Sequence, residues 1–186
     1  MKSQCKFSAA VPFLLILSLA ASASASDAPR VSRAVLVNME KSIDEHVTKL
    51  WTDNPFVLLG PTRGVYLNGY GAVFSNEVNL VLGPVMLSMS GPLSKEDIEK
   101  HRLKKIERVP LLKKTMRQAL VDSASWLETL PPNEQIVVVC FLSRYPWEVT
   151  KDVPAQVMMH ASRGKLLEAQ KAGDAALDAV IQVEQF

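Results

Sequence analysis

The chain predicts an α+β fold: a mainly antiparallel sheet with long amphipathic helices packed against one face. Three observations carry that reading. Apolar residues recur at helical spacing from Val31 to Trp51 and again from Ser94 to Leu130. Asn68-Gly69 lies between two apolar runs, the strongest short-range signal for a β-hairpin. The stretch "QIVVVCFLS", residues 135–143, is apolar almost throughout, as befits a strand at the centre of a sheet.

The elements follow in order. Val31, Val35, Met39, Ile43, Val47 and Leu50 form the stripe of a first helix, which Asn54-Pro55 ends because the residue before proline avoids helical backbone. Phe56–Leu59 reads as a short strand, Gly60–Gly64 as a turn and Val65–Leu67 as a second strand. Asn68-Gly69 then reads as a two-residue type I′ turn, with positive φ at both positions. A third strand runs from Gly71 or Ala72 to about Leu80, so two consecutive hairpins would make a meander. "VLGPVMLSMSGPL", from Val81, fits an edge strand or an apolar lid, and Gly83-Pro84 argues against an unbroken strand.

Ser94 followed by Asp97 marks a helix start. Its stripe includes Leu103, Ile106, Leu112, Met116, Leu120, Ala124 and Leu127, and Pro110 either kinks one long helix or begins a second. Pro131-Pro132 is the stop. After the 135–143 strand come the loop "RYPWEVTKDVP", the strand "AQVMMHAS" and a short helix from Arg163 to Ala172, with Gly173 as its end. Asp174–Ala179 offers another helical turn, and alternating Ile181 and Val183 suggest a final strand.

The first residues speak of destination. Lys2 and Lys6, an apolar run from Ala9 to Ala21 and two Ala-x-Ala sites ending at Ala23 and Ala25 have the layout of a secretory signal peptide. The run falls well short of the ~20 apolar residues that span a bilayer. The expectation is therefore a signal peptide over 1–25, one globular domain over 26–186, no transmembrane segment after cleavage, and a secreted or periplasmic location. Cys5 would leave with the leader, and so would two of the 21 basic residues. The remaining 19 then match the 19 acidic ones, so the mature chain is formally neutral. Nucleic-acid partners usually demand a basic excess, so none is expected. Cys140 is left alone, forms no internal disulfide, and between "IVVV" and "FL" reads as a buried small hydrophobe rather than a reactive thiol.

Chemistry-bearing motifs are scarce. Gly69-x-Gly71 opens like a dinucleotide fingerprint, but the glycines lead into a strand instead of a helix, and Phe74 stands where the third glycine belongs. Turn chemistry explains them better, and no cofactor is expected. His46, His101 and His160 lack the paired spacing of a zinc helix, so no metal is expected. No Gly-x-Ser-x-Gly elbow appears, Ser123 and Ser125 suit close helix packing, and no catalytic residue is assigned. Asp44, Glu45 and His46 are helix neighbours that point different ways, and fit a solvated face.

Two stretches stand as possible interaction surfaces. Residues 95–117 carry nine basic side chains against four acidic, with Lys104, Lys105 and Arg108 at the centre. A basic helix can dock on an anionic surface, although a solvated outer face is the plainer reading. Trp147, between Pro146 and Pro154, could be an exposed contact residue, but a tryptophan folded back over the sheet as a plug is preferred.

"RGVYLNGYGAVF", "HRLKKIERVPLLKKTMRQAL" and "PPNEQIVVV" resemble an uncharacterised family of secreted bacterial proteins with a Gly-x-Tyr-Leu-x-Gly-Tyr-Gly-x-x-Phe pattern. The resemblance implies export and an intact domain, and brings no known activity. The leading expectation is a non-enzymatic envelope or protein-interaction domain whose partner is an unknown protein or envelope component. The alternatives are a hydrolase-like enzyme with an unfamiliar site, and an anion- or membrane-surface-binding module using the basic helix 95–117.

Overall fold

The structure, a computed structural model, describes residues 31–49, 57–83 and 93–186. The expected leader and most of the Val81–Leu93 stretch lie outside the described residues. The elements are α1 (Arg33–Lys49), β1 (Val57–Leu67), β2 (Gly71–Asn79), α2 (Lys95–Trp126), β3 (Gln135–Leu142), β4 (Gln156–Ser162), α3 (Arg163–Ala172), α4 (Asp174–Val180) and β5 (Gln182–Gln185). The five strands lie in sequence order across one sheet. Every neighbouring pair is antiparallel except β2 and β3, which run parallel. The α+β class is thus as the sequence predicts.

The parallel pair corrects the meander. Parallel strands need a long crossover, and α2 supplies it in one unbroken run of 32 residues. Its start is chemically marked: Ser94 Oγ accepts the Asp97 amide at 3.1 Å, with Glu96 and Asp97 in the first turn where the helix dipole favours negative charge. Pro110 neither ends nor restarts the helix. It is exposed, on the side where a missing amide bond can be made good by water. The helix closes at Trp126, before the Pro131-Pro132 pair, with the Leu127 amide on the Ser123 carbonyl at 2.9 Å.

The expected turn at 60–64 is also corrected, because β1 is one strand of 11 residues. Gly60 and Pro61 fall where pairing with β2 slips, between Leu58 and Gly60 and again between Gly60 and Arg63. Such irregularities suit an edge strand, where proline lacks no partner. The β1–β2 connection differs from type I′ as well. Tyr70 N donates to Leu67 O at 3.0 Å, and Gly69 has φ 80° while Asn68 does not enter the positive region. Positive φ at the third residue alone is the requirement of a type II turn. Gly71, at φ 141°, meets a further constraint: a Cβ there would lie 1.9 Å from the Gln135 carbonyl oxygen.

Strand alternation divides the sheet into two faces. Ala72, Phe74, Val78, Ile136, Val138, Cys140, Leu142, Val157, Met159 and Ala161 join one buried cluster with Met39 and Ile43 of α1, Leu112, Met116 and Leu120 of α2, Leu166 of α3 and Leu177 of α4. The alternate positions, among them Val65, Val73, Val137, Val139 and Met158, are not among the buried members of that cluster. All four described helices therefore bury their apolar sides against the same face.

α1 does more than pack. Its Glu40 Oε1 accepts the Gly64 amide at 2.7 Å, and its Asp44 Oδ1 accepts the Thr62 amide at 2.9 Å and the Thr62 hydroxyl at 2.6 Å. Four helical residues rise about 6 Å, and two strand residues rise about 6.6–6.8 Å. Carboxylates at i and i+4 are therefore spaced to meet successive outward amides of an edge strand. Arg33 completes the seam, donating to Gly64 O at 2.9 Å and pairing with Glu40 at 2.7 Å. The free edge of β1 is blunted in this way against stray pairing.

Candidate functional site

A second set of charges converges where the parallel strands end. The loop from Ser143 to Ala155 leaves β3 there and meets the first turns of α2. Lys105 Nζ lies 2.7 and 2.6 Å from the two Glu148 carboxylate oxygens and donates to the Ser143 carbonyl at 2.8 Å. His101 Nε2 is 3.1 Å from Glu148 Oε1. The Lys105, Glu148 and His101 side chains are only 2%, 4% and 5% exposed. Trp147 stacks on Tyr145 with ring centres 5.3 Å apart and sets its edge against His101 at 4.9 Å. Gly83 N donates to the Tyr145 hydroxyl at 3.4 Å.

This arrangement is electrostatically closed. The ammonium has three N–H donors, and all three are taken. Burial pulls Lys105 below the ordinary lysine range, while the hydrogen bond and charge of Glu148 pull it back. Burial alone would raise the Glu148 carboxyl, but the hydrogen bonds from His101 and Lys105 outweigh it and hold the group below its usual range. The ion pair and the aromatic stack fasten the 143–155 loop to α2. Its chemistry is that of a latch, with its charges spent on one another.

The expected surface residues separate accordingly. Lys104 is exposed, whereas Lys105 belongs to the latch and Arg108 is buried, donating to the Leu80 carbonyl. Trp147 is half-buried, and the preferred plug over the sheet is corrected: its ring stacks on Tyr145 and sets its edge against His101 of α2. Nothing in the run of basic letters reveals that two of these three cations point inward. The signal available was their spacing: His101, Lys105, Arg108 and Leu112 fall three and four apart, which places them on one helical face.

The other expected positions are scattered. His46 pairs with Asp122 at 3.4 Å, and His160 sits between Gln135 and Glu184 on the sheet. Ser123 is buried, donating to Ala119 O at 2.6 Å. Cys140 donates from Sγ to Asn76 Oδ1 at 2.8 Å, Asn76 Nδ2 donates to Thr62 Oγ1 at 3.1 Å, and that hydroxyl donates to Asp44. Burial pushes the Cys140 thiol up to about 12, so it stays protonated as the head of this buried row. A groove of about 540 Å³ separates α2 from α4 and β5, floored by Pro110, Met159, Ile181 and Val183. Arg117 at its side is held by Asp174 and Asp178 at 3.0 and 2.9 Å.

The most unusual surface is the sheet face away from the helices. Val65 and Leu67 of β1 and Phe141 of β3 are each between 46% and 48% exposed. Val73, Val139 and Met158 lie half-buried between them, and Val137 is at the centre. Polar groups gather around this patch: Arg63, Glu77, Gln156, His160 and Glu184. An apolar centre within a polar rim is the layout of a protein–protein interface. Isolated exposed leucines are ordinary, but a contiguous apolar face spanning several strands is not. Among the described residues, no helix is long and apolar enough to cross a membrane. No family model matches the chain, and no curated protein or solved structure matches it either.

Proposed function

We propose that the protein acts, after export into the bacterial envelope, as an interaction domain that binds a protein through the open face of its sheet. The observation that carries this reading is the apolar patch of Val65, Leu67, Val73, Val139, Phe141 and Met158 on neighbouring register positions of the face that the described helices leave uncovered. Burying such a patch releases ordered water and is favourable at ~25 cal/mol per Å² of apolar area. The titratable groups that converge elsewhere, His101, Lys105 and Glu148, are occupied with one another. As a basic docking surface, α2 has lost Lys105 and Arg108 to the interior.

The test is positional. A photo-crosslinking residue is placed at Phe141, on the open face, and separately at Gln170, on an exposed side of α3, in the full chain expressed with its own leader. Adducts from position 141 and none from 170 are expected. Equal labelling from both positions, or none from either, defeats the reading.

A further inference from the structure

Resting on that reading, we infer that the partner is a second copy of this chain, docked sheet to sheet about a two-fold axis running parallel to the strands. The register supplies the argument. Arg63 of β1 pairs with Ser75 of β2, Ser75 with Val139 of β3, Val139 with Met158 of β4, and Met158 with Glu184 of β5. These five residues form one row across the sheet on its open face. A cation stands at one end of the row, an anion at the other, and small or apolar groups lie between.

With the strands of the two faces aligned, two-fold stacking can be built in two ways. With the axis across the strands, β1 lies over β1 and the two Arg63 side chains approach each other. With the axis along the strands, β1 lies over β5 of the second copy, and the row meets itself reversed. Arg63 then faces the second copy's Glu184, its own Glu184 faces the second Arg63, and Val139 meets Val139 near the axis. Opposite charges meet at both ends and apolar groups in the middle. Among the described residues Arg63 has no ion pair within its own chain, whereas Glu184 is held on the face by His160 Nε2 at 3.3 Å.

Size is consistent with a stable pair. Five strands about 4.8 Å apart and about eight residues long project roughly 600 Å² per copy. Side-chain relief raises the accessible area toward the ~800 Å² per partner of a standard interface. Aligned sheets pack about 10 Å apart with strands within about 30° of parallel, which suits an axis running along them.

The experiment measures molar mass by analytical ultracentrifugation of the full chain purified after expression with its own leader. A mass of two copies is expected. Phe141→Glu should give one copy while keeping the circular dichroism of the original, and its melting temperature should match the original's only at a dilution where both are monomeric. Arg63→Glu and Glu184→Arg should each weaken the dimer by about tenfold, and the double variant should recover most of that loss. A double variant as weak as the singles overturns the arrangement. A monomer at about 50 µM overturns the self-partner, since standard interfaces hold at micromolar or better. The crosslinks at position 141 then tell the two ideas apart. An adduct to a different chain leaves the interaction domain standing with another partner, and no adduct removes both.

Discussion

Each face of the sheet carries an exception to the usual rule of apolar inside and polar outside. The covered face buries Thr62, Asn76 and Cys140 in a hydrogen-bonded row, and the end of α2 above it buries Lys105, Arg108 and Glu148. The open face holds Val65, Leu67 and Phe141 half in water. The difference teaches that burial alone does not locate function here. The buried polar groups point at each other, so they specify geometry. The exposed apolar groups have nothing within the described chain to satisfy them, so they specify a contact.

The largest break in this comparison should come from Lys105. Its removal leaves the Glu148 carboxylate in a site only 4% exposed, with His101 as its remaining polar side-chain partner. Lys105→Met should cost about 3–5 kcal/mol of folding stability, the range for breaking one side of a buried pair. Urea unfolding checks it. Lys105→Met combined with Glu148→Leu should recover much of that loss, because neither charge then remains stranded. A double variant no better than the single would mean that the ion pair is not what the single variant breaks.

The same latch should respond to pH. In the fold the Glu148 carboxyl is held below its ordinary value of 4.5, so the unfolded chain takes up this proton first as pH falls. The stabilisation is therefore full above about 4.5 and is lost as pH falls through the lower folded value. Trp147 stands beside His101 in this cluster, so its fluorescence should change across that acid window before global unfolding. Lys105 has the opposite slope. Its folded value lies below 10.5, so the folded state binds fewer protons between the two values and gains stability as pH rises between them.

Next in size is the seam between α1 and β1. Asp44→Ala strands both the Thr62 amide and its hydroxyl, and should cost about 1–3 kcal/mol, the penalty for a buried donor left unmade. Glu40→Ala should cost a comparable amount through the Gly64 amide and Arg33. Hydrogen exchange should show faster exchange at Thr62 in the first variant and at Gly64 in the second, with β3 amides unchanged. Uniform acceleration across the sheet would count against an edge-capping role.

Legibility in the sequence followed the range of the interactions involved. Ser94 and Asp97, Gly173 and the apolar run at 135–142 act within a few residues, and the helices and strands that they mark are present. Gly60, Pro61 and Gly64 carry turn chemistry, yet α1 supplies carboxylates to their strand from outside, so tertiary contact overrode the local signal. The parallel β2–β3 pairing depends on which way a 32-residue helix returns, which no short motif encodes. At the candidate surface, alternation in β1 was hidden by its register slips, and the row from Arg63 to Glu184 draws on residues 121 positions apart in the chain. The inward turn of Lys105 and Arg108 was legible only as helical spacing, since composition cannot say which face a lysine occupies.

The smallest effect on stability should come from the open face, and that smallness is what sharpens the comparison. Phe141 is already 46% exposed, and its removal opens no buried cavity in the helix-covered core. Phe141→Ser should therefore shift unfolding by less than about 1 kcal/mol in a dilute solution where the chain is monomeric. Its neighbour Leu142, 6% exposed on the opposite face, should cost about 2–5 kcal/mol as Leu142→Ala. If Phe141→Ser instead destabilised the dilute monomer as much as Leu142→Ala does, the face would already be covered within one chain. The distinction between a structural and a contacting side of this sheet would then collapse.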